Sequence, residues 1–137
     1  MVYAEIDLAN GGDVYMFRQG LIEETEIKQT TITALVDSGA FMLSINENIK
    51  TQLNLPLIEN QFVTLADEST IEVEIVGPVE VKFENRSKTV RALVLPGDAE
   101  VLLGAIPMED MDVLIDPRER KLVVNPKHPY VANKYLK

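Results

Sequence analysis

Ala34-Leu35-Val36-Asp37-Ser38-Gly39-Ala40 runs three apolar residues suited to a buried strand straight into an acid, a hydroxyl, a glycine and another small residue. An ionised carboxylate is costly to remove from water unless something pairs with it, so a buried strand gains nothing by ending on one. Asp-Ser-Gly is also a turn composition: glycine tolerates backbone angles that other residues avoid, and the serine hydroxyl can bond locally. On these residues alone two readings stay open. One is an ordinary strand-to-turn junction. The other is a carboxylate fixed by a rigid strand and a tight turn for chemistry.

Upstream, residues 30–36 are rich in β-branched side chains and deliver a strand to Asp37. Earlier still, Val2, Ala4, Ile6 and Leu8 alternate with Tyr3, Glu5 and Asp7, the period of a half-buried strand. Asn10-Gly11-Gly12-Asp13 reads as a turn, with residues 14–18 as the returning arm of a hairpin. Residues 20–27 give no clear element, and Glu23, Glu24 and Glu26 suit a solvated face.

Downstream, Phe41, Met42 and Leu43 lead away as a short apolar strand. Ser44 stands three residues before Glu47, the spacing of a capping box, ahead of Ile49 and Leu53 at helical spacing. This predicts a helix over residues 46–53, stopped by Asn54 and Pro56, as the first of only two helical pieces. Residues 62–66 and 71–76 alternate apolar and polar, and form a hairpin tipped by Asp67-Glu68-Ser69-Thr70 that is long enough to project from the domain. Gly77-Pro78 interrupts the run. Residues 79–83 and 89–95 make a further hairpin, with Asn85-Arg86-Ser87 in its surface turn. Glu100-Val101-Leu102-Leu103-Gly104-Ala105 is the second unusual stretch, a compact apolar run ending on small residues where glycine admits a close backbone neighbour. A single helical turn over residues 107–111 follows, with Pro107 at its start. A last hairpin joins residues 113–115 and 121–124 about Asp116-Pro117. The tail from Asn125 carries Tyr130, Val131, Tyr135 and Leu136, whose bulk favours docking over fraying.

A length of 137 residues suits one domain with its own core. No apolar run is long enough to span a bilayer, and the first residues lack the basic and apolar regions of a secretory signal, so a cytoplasmic location is expected. Without cysteine there is neither a disulfide framework nor a thiolate metal site. His128, the single histidine, lies between Lys127 and Pro129 with no spacing that builds a metal site, and is expected at the surface or an interface. A net charge of −9 without a clustered basic face argues against phosphate-backbone binding, so nucleic acid is not an expected partner.

Leu35-Val36-Asp37-Ser38-Gly39-Ala40 and, much later, Val101-Leu102-Leu103-Gly104 together resemble the two motifs of the retroviral-type (retropepsin-like) aspartic proteases. Those motifs are apolar-apolar-Asp-Thr/Ser-Gly-Ala and, just before a short helix, apolar-apolar-Gly. The hairpin of residues 62–76 falls where that family carries its flap. The resemblance spans about residues 31–124, leaving residues 125–137 as a tail longer than that of the compact retroviral enzymes.

The resemblance implies an all-β fold: a single domain over residues 1–137, built as a closed acid-protease β-barrel with a flap hairpin and one or two short helices. It implies an aspartic endopeptidase with no cofactor and no metal, in which Asp37 is the catalytic carboxylate and Ser38, Gly39 and Ala40 complete its loop. Leu103 and Gly104 would pack beside that loop. Leu65, Ala66, Asp67, Glu68, Ser69 and Thr70 would form the flap over an extended polypeptide substrate, bound as an added strand. Such enzymes use two carboxylates, and only one Asp-Ser-Gly occurs here. Asp116 follows an apolar strand, but Pro117 stands where a small hydroxyl would be needed. The implied assembly is therefore a homodimer with one Asp37 from each subunit on a two-fold axis, with no membrane partner. Ser38 in place of threonine is a substitution the family accepts.

The tip Asp67-Glu68-Ser69-Thr70 lacks the glycine usual in a flap. That departure keeps an alternative open: a catalytically weak or inactive dimer of the same fold, acting as a peptide- or protein-binding module. A β-rich domain with an ordinary Asp-Ser-Gly turn is the third and blandest reading. If Asp67 and Glu68 overhang the cleft, basic side chains would be preferred near the scissile bond; a solvated turn is the simpler account of them.

Overall fold

The computed structural model describes residues 1–133. Strand β1 (Val2–Asn10) alternates as its sequence requires, with Ala4, Ile6 and Leu8 buried and Tyr3, Glu5 and Asp7 exposed. It does not return as a hairpin. Asn10 instead caps helix α1 (Gly11–Arg18): its side chain accepts from the Asp13 amide at 3.0 Å and donates to the carbonyls of Leu53 and Asn54 at 2.9 and 3.1 Å. Asparagine is a favoured N-cap, and Asp13 in the first turn suits the helix dipole. The expected turn and strand over residues 10–18 are thus replaced by a helix. Asn and Asp serve turns and helix starts alike, and the buried bonds to Leu53 and Asn54, far along the chain, are invisible to a local pattern.

A 3-10 turn (Glu24–Glu26) precedes β2 (Gln29–Val36), which is antiparallel to β1 from Val2↔Val36 to Ala9↔Gln29. After the Asp37 loop come β3 (Leu43–Asn46), later than the strand expected at residues 41–43, and α2 (Glu47–Leu53). The α2 cap is Asn46, which accepts from the Ile49 amide at 2.9 Å. The expected capping box fails because Ser44 is buried inside β3. The long hairpin is β4 (Leu57–Thr64) and β5 (Thr70–Phe83). Gly77 and Pro78 do not end β5; they form a bulge that shifts its register on the next strand between Val76 and Val79. That strand is β6 (Arg86–Leu95), followed by β7 (Leu102–Leu103), α3 (Ala105–Met111), β8 (Val113–Asp116) and β9 (Lys121–Val124). Three α-helices therefore stand where one or two were expected. α3 is longer than a single turn, and Pro107 falls inside its first turn, where a missing N–H is harmless.

The pairings run β1-β2-β7-β3-β6-β5, and β1 pairs with β5 as well, so six strands follow one another in a ring while β4 hangs on β5 outside it. Leu8, Ala34, Leu43, Ile45, Val76, Val81 and Leu103 fill the core, and the helices close onto it through Ile49, Leu53, Met108 and Met111. The fold is mostly β. β8 and β9 form a separate two-stranded sheet. No helix among the described residues is long and apolar enough to cross a membrane.

The described part of the tail is docked, but through polar contacts rather than the bulk expected to hold it, since Tyr130 and Val131 are exposed. One carboxylate organises it. Asp112, the C-cap of α3, accepts from Asn125 Nδ2 and the Asn133 amide, both at 3.0 Å, and meets His128 Nδ1 at 2.7 Å. Arg86 is buried, contrary to its expected place in a surface turn. It donates to the His128 carbonyl and lies 4.0 Å from Asp112. His128 therefore sits at an intramolecular seam, while Tyr135 and Leu136 lie outside the described residues. Burial alone would raise the Asp112 carboxyl, but the donors from Asn125, Asn133 and His128 outweigh it and hold it below the usual range.

A depressed carboxylate stabilises the fold above its unfolded value and loses that contribution as pH falls through the folded one. The clamp is expected to hold at neutral pH and to loosen below about pH 4, read as a loss of amide-exchange protection over residues 126–133 relative to the intrinsic rate at each pH. At neutral pH Asp112→Ala should cost about 2–4 kcal/mol, because it strands the buried guanidinium. Melting curves should show the gap to wild type narrowing as pH falls.

Candidate active site

β2 carries its parallel pairing with β7 (Leu35↔Leu102, Val36↔Leu103) one residue past its own end. The Leu35 amide donates to the Val101 carbonyl at 2.8 Å and the Asp37 amide to the Leu103 carbonyl at 3.0 Å. Asp37 is thus the first residue beyond a strand buried at Ala34 and Val36, and it is fixed through its backbone and half-buried. The chain then turns back on the carboxylate. The Gly39 amide donates to Asp37 Oδ1 at 2.9 Å, and the Ala40 amide to the Asp37 carbonyl at 3.1 Å. A short acid bonding its own backbone two residues on is a common turn device; here it orients one carboxylate oxygen and leaves Oδ2 free of that bond. Ser38 and Gly39 are exposed and Ala40 is half-buried. Gly39 is not used for a left-handed backbone: positive φ occurs at Gly20, Gly77 and Gly97 instead. Its value lies in room, since a Cβ there would stand 3.2 Å from Asp37 Oδ1.

The second motif meets the first from the other side. β7 sits between β2, to which it is parallel, and β3, to which it is antiparallel through Ser44↔Leu102. As α3 begins, the Ala105 and Ile106 amides donate to the carbonyls of Ala40 and Phe41, each at 2.8 Å. Two helix-start donors that would otherwise lack partners are satisfied by the Asp37 loop, and the loop is held at its far end. This requires Gly104. A Cβ there would lie 2.4 Å from the Met42 carbonyl oxygen and 2.8 Å from that of Ala40. Leu103 is fully buried beneath. The structure brings Asp37, Ser38, Gly39, Ala40, Leu103 and Gly104 together. The carbonyls of Val101, Ala40 and Phe41 and the amides of Ala105 and Ile106, which complete this frame, carry no side-chain signature in the sequence.

The hairpin tip forms a separate structure. Thr70 pairs with Thr64 as the first residue of β5, and Leu65, Ala66, Asp67, Glu68 and Ser69 make the turn, all exposed. The Leu65 amide donates to the Ser69 carbonyl at 2.8 Å and the Glu68 amide to the Leu65 carbonyl at 2.9 Å. Glu68 takes the left-handed conformation (φ 68°) that glycine would take more cheaply. Asp67 accepts from the Ser69 hydroxyl at 2.5 Å and the Ser69 amide at 3.0 Å, which together hold its carboxyl below the usual range. Among the described residues no hydrogen bond joins this tip to the Asp37 loop.

A sequence profile of the family described as Aspartyl protease matches residues 24–106, a span that contains the Asp37 loop, the β4–β5 hairpin and the Leu103-Gly104 motif. The chain belongs to this aspartyl protease family, of the retropepsin-like kind. No curated protein gives a significant match to it.

Proposed function

We propose that this chain is an aspartic endopeptidase that works as a homodimer, with Asp37 of each subunit contributing one of two facing carboxylates. The observation that carries the reading is the fixed Asp37 carboxylate, bound by Gly39 at 2.9 Å on a loop pinned by β7 and by the start of α3. Family membership supports a protease, and the ring of strand pairings supports the closed acid-protease barrel. One chain supplies only one such segment, so a second copy supplies the other across an isologous interface.

Two carboxylates about 3 Å apart do not both ionise, and the pair holds one proton. The charged member takes a proton from a water held between them as that water attacks the scissile carbonyl. The protonated member polarises the carbonyl oxygen, and a proton then passes to the leaving nitrogen, with no covalent intermediate. Ser38, exposed on the loop, would reach the opposite loop and lock the pair. The β4–β5 hairpin would close over a substrate bound as an added strand.

Sedimentation and activity measured over one concentration series test this. A dimer is expected, with specific activity falling on dilution in step with dissociation. A chain that stays monomeric while active overturns the two-subunit site. A second reading, a binding module of the same fold, is favoured by the glycine-free tip with Glu68 in the left-handed region. It predicts a dimer that holds extended peptides and releases them uncut.

A further inference from the structure

α3 is held from outside at both of its ends, and the two holds come from different parts of the chain. At its start the Ala105 and Ile106 amides donate to the Ala40 and Phe41 carbonyls, while Gly104 has no side chain with which to cap the helix. At its finish Asp112 takes the left-handed conformation (φ 56°), and its carboxylate accepts from Asn125 Nδ2, the Asn133 amide and His128 Nδ1. The Asn125 amide adds a main-chain bond to the Asp112 carbonyl at 3.1 Å. At about 1.5 Å per residue, the seven residues of α3 set these two holds about 10 Å apart.

Taken alone, the end of α3 is poorly charged. Its last turn carries Glu109 and Asp110 and no basic residue, and Asp112 adds a further acid at the negative end of the helix dipole. Asparagine or glycine would serve the left-handed cap without that charge. The carboxylate is made acceptable by groups brought from elsewhere, Arg86 of β6 at 4.0 Å and the donors of the tail. Its chemistry therefore suits the attachment of the tail better than the capping of a helix.

We propose that Asp112 is a positioning residue for the reaction at Asp37: by fastening residues 125–133 to the end of α3 it keeps that helix formed, and the helix in turn holds the Asp37 loop. The effect on rate rests on the proteolytic reading; the link between tail and loop does not. Helix bonds form cooperatively, and a helix this short is not stable by itself, so loosening its last turn also frees its first. Pro107, Met108 and Met111 are buried and keep α3 against the core, but apolar burial is non-directional and does not align two amides on two carbonyls. The bonds at the two ends do.

Amide exchange and steady-state kinetics on the full-length chain test this with the double variant Asn125→Ala/His128→Ala. It removes two donors of the tail and leaves both Asp112 and the main-chain carbonyl bonded by Arg86 in place. Protection of the Ala105 and Ile106 amides is expected to fall about tenfold or more, while the Leu35 amide, bonded inside the sheet to Val101, keeps its own. On an unstructured protein kcat should fall about tenfold with KM within about twofold, less than the roughly 100-fold that a full 1 Å misplacement costs. Asp116 accepts from the Arg118 and Glu119 amides at the far end of the β8–β9 hairpin, so Asp116→Ala is a matched control and should change neither readout. Asp112→Asn keeps the left-handed cap and one acceptor oxygen, and should lie between wild type and Asp112→Ala in both. If Asp112→Ala does not fold, the tail variant decides alone. Unchanged protection at Ala105 and Ile106 in that variant, or an equal loss at Leu35, overturns the link. Lost protection with an unchanged kcat overturns the positioning role while proteolysis stands. A wild-type chain that cuts no faster than Asp37→Asn overturns the proteolytic reading and the effect on rate with it, and the exchange result still decides the link.

Discussion

Asp37→Asn is expected to lower peptide hydrolysis about 10,000-fold, to background, while leaving the fold and the dimer in place. In a homodimer a single substitution removes both carboxylates at once, so no general base remains to take the proton of the attacking water and no acid remains to return one. The surroundings of Asp37 survive the change. An asparagine oxygen can still accept from the Gly39 amide, now at 2.9 Å from Asp37 Oδ1, and the backbone bond from Asp37 to Leu103 does not involve the side chain. Facing carboxamides carry no charge to repel, so association should be as tight as in wild type or tighter. The measurement is kcat/KM on an unstructured protein, with sedimentation of both forms at the same concentration. Cleavage at the wild-type rate would remove Asp37 from the chemistry. Lost activity together with a lost dimer would instead point to a structural role for the carboxylate.

How far the site could be read from the sequence follows from where its parts are bonded. Asp37, Gly39 and Gly104 are legible because each is a residue type demanded by a local event: an acid at a strand end, an amide brought against that acid, and a backbone crossing with no room for a Cβ. The hairpin of residues 62–76 is legible from alternation, although β4 begins at Leu57 and β5 runs to Phe83. What stayed hidden is bonded at long range. α1 starts at Asn10 because that side chain reaches Leu53 and Asn54, more than forty residues away. Arg86 is buried because the tail returns over it and meets Asp112. β7 is two residues long, too short for any period to show, yet it lies between β2 and β3 and joins the two motifs. Local pattern finds the residues that chemistry singles out; it does not find the contacts that hold them still.

Gly104→Ala puts that joint to the test, and its expected effect on stability is the largest of any substitution at the site. The glycine has φ −89° and ψ −176°, which any residue can adopt, so backbone strain plays no part. Space is the whole argument. An added Cβ would meet the Met42 carbonyl oxygen at 2.4 Å, the Phe41 carbonyl carbon at 2.7 Å and the Ala40 carbonyl oxygen at 2.8 Å, all of them backbone atoms that no rotamer change can move. Relief requires moving the Asp37 loop away from α3, against the two 2.8 Å bonds from Ala105 and Ile106 that hold it there. Overpacking costs about 1–3 kcal/mol and sometimes more. Two weakened hydrogen bonds add about 1 kcal/mol each. A loss of about 3–5 kcal/mol is therefore expected in denaturant titrations, a large part of the roughly 5–15 kcal/mol that holds a domain of this kind. Under conditions where the variant still folds, activity should fall by about 100-fold, because a shift of about 1 Å in the loop misplaces the carboxylate. Gly39→Ala makes the contrast. Its Cβ would approach only a side-chain oxygen, Asp37 Oδ1 at 3.2 Å, which can rotate away, so activity should fall with little loss of stability. If Gly104→Ala instead matches wild type in both stability and rate, the loop is not held by this crossing, and the fixed geometry assigned to Asp37 has some other source.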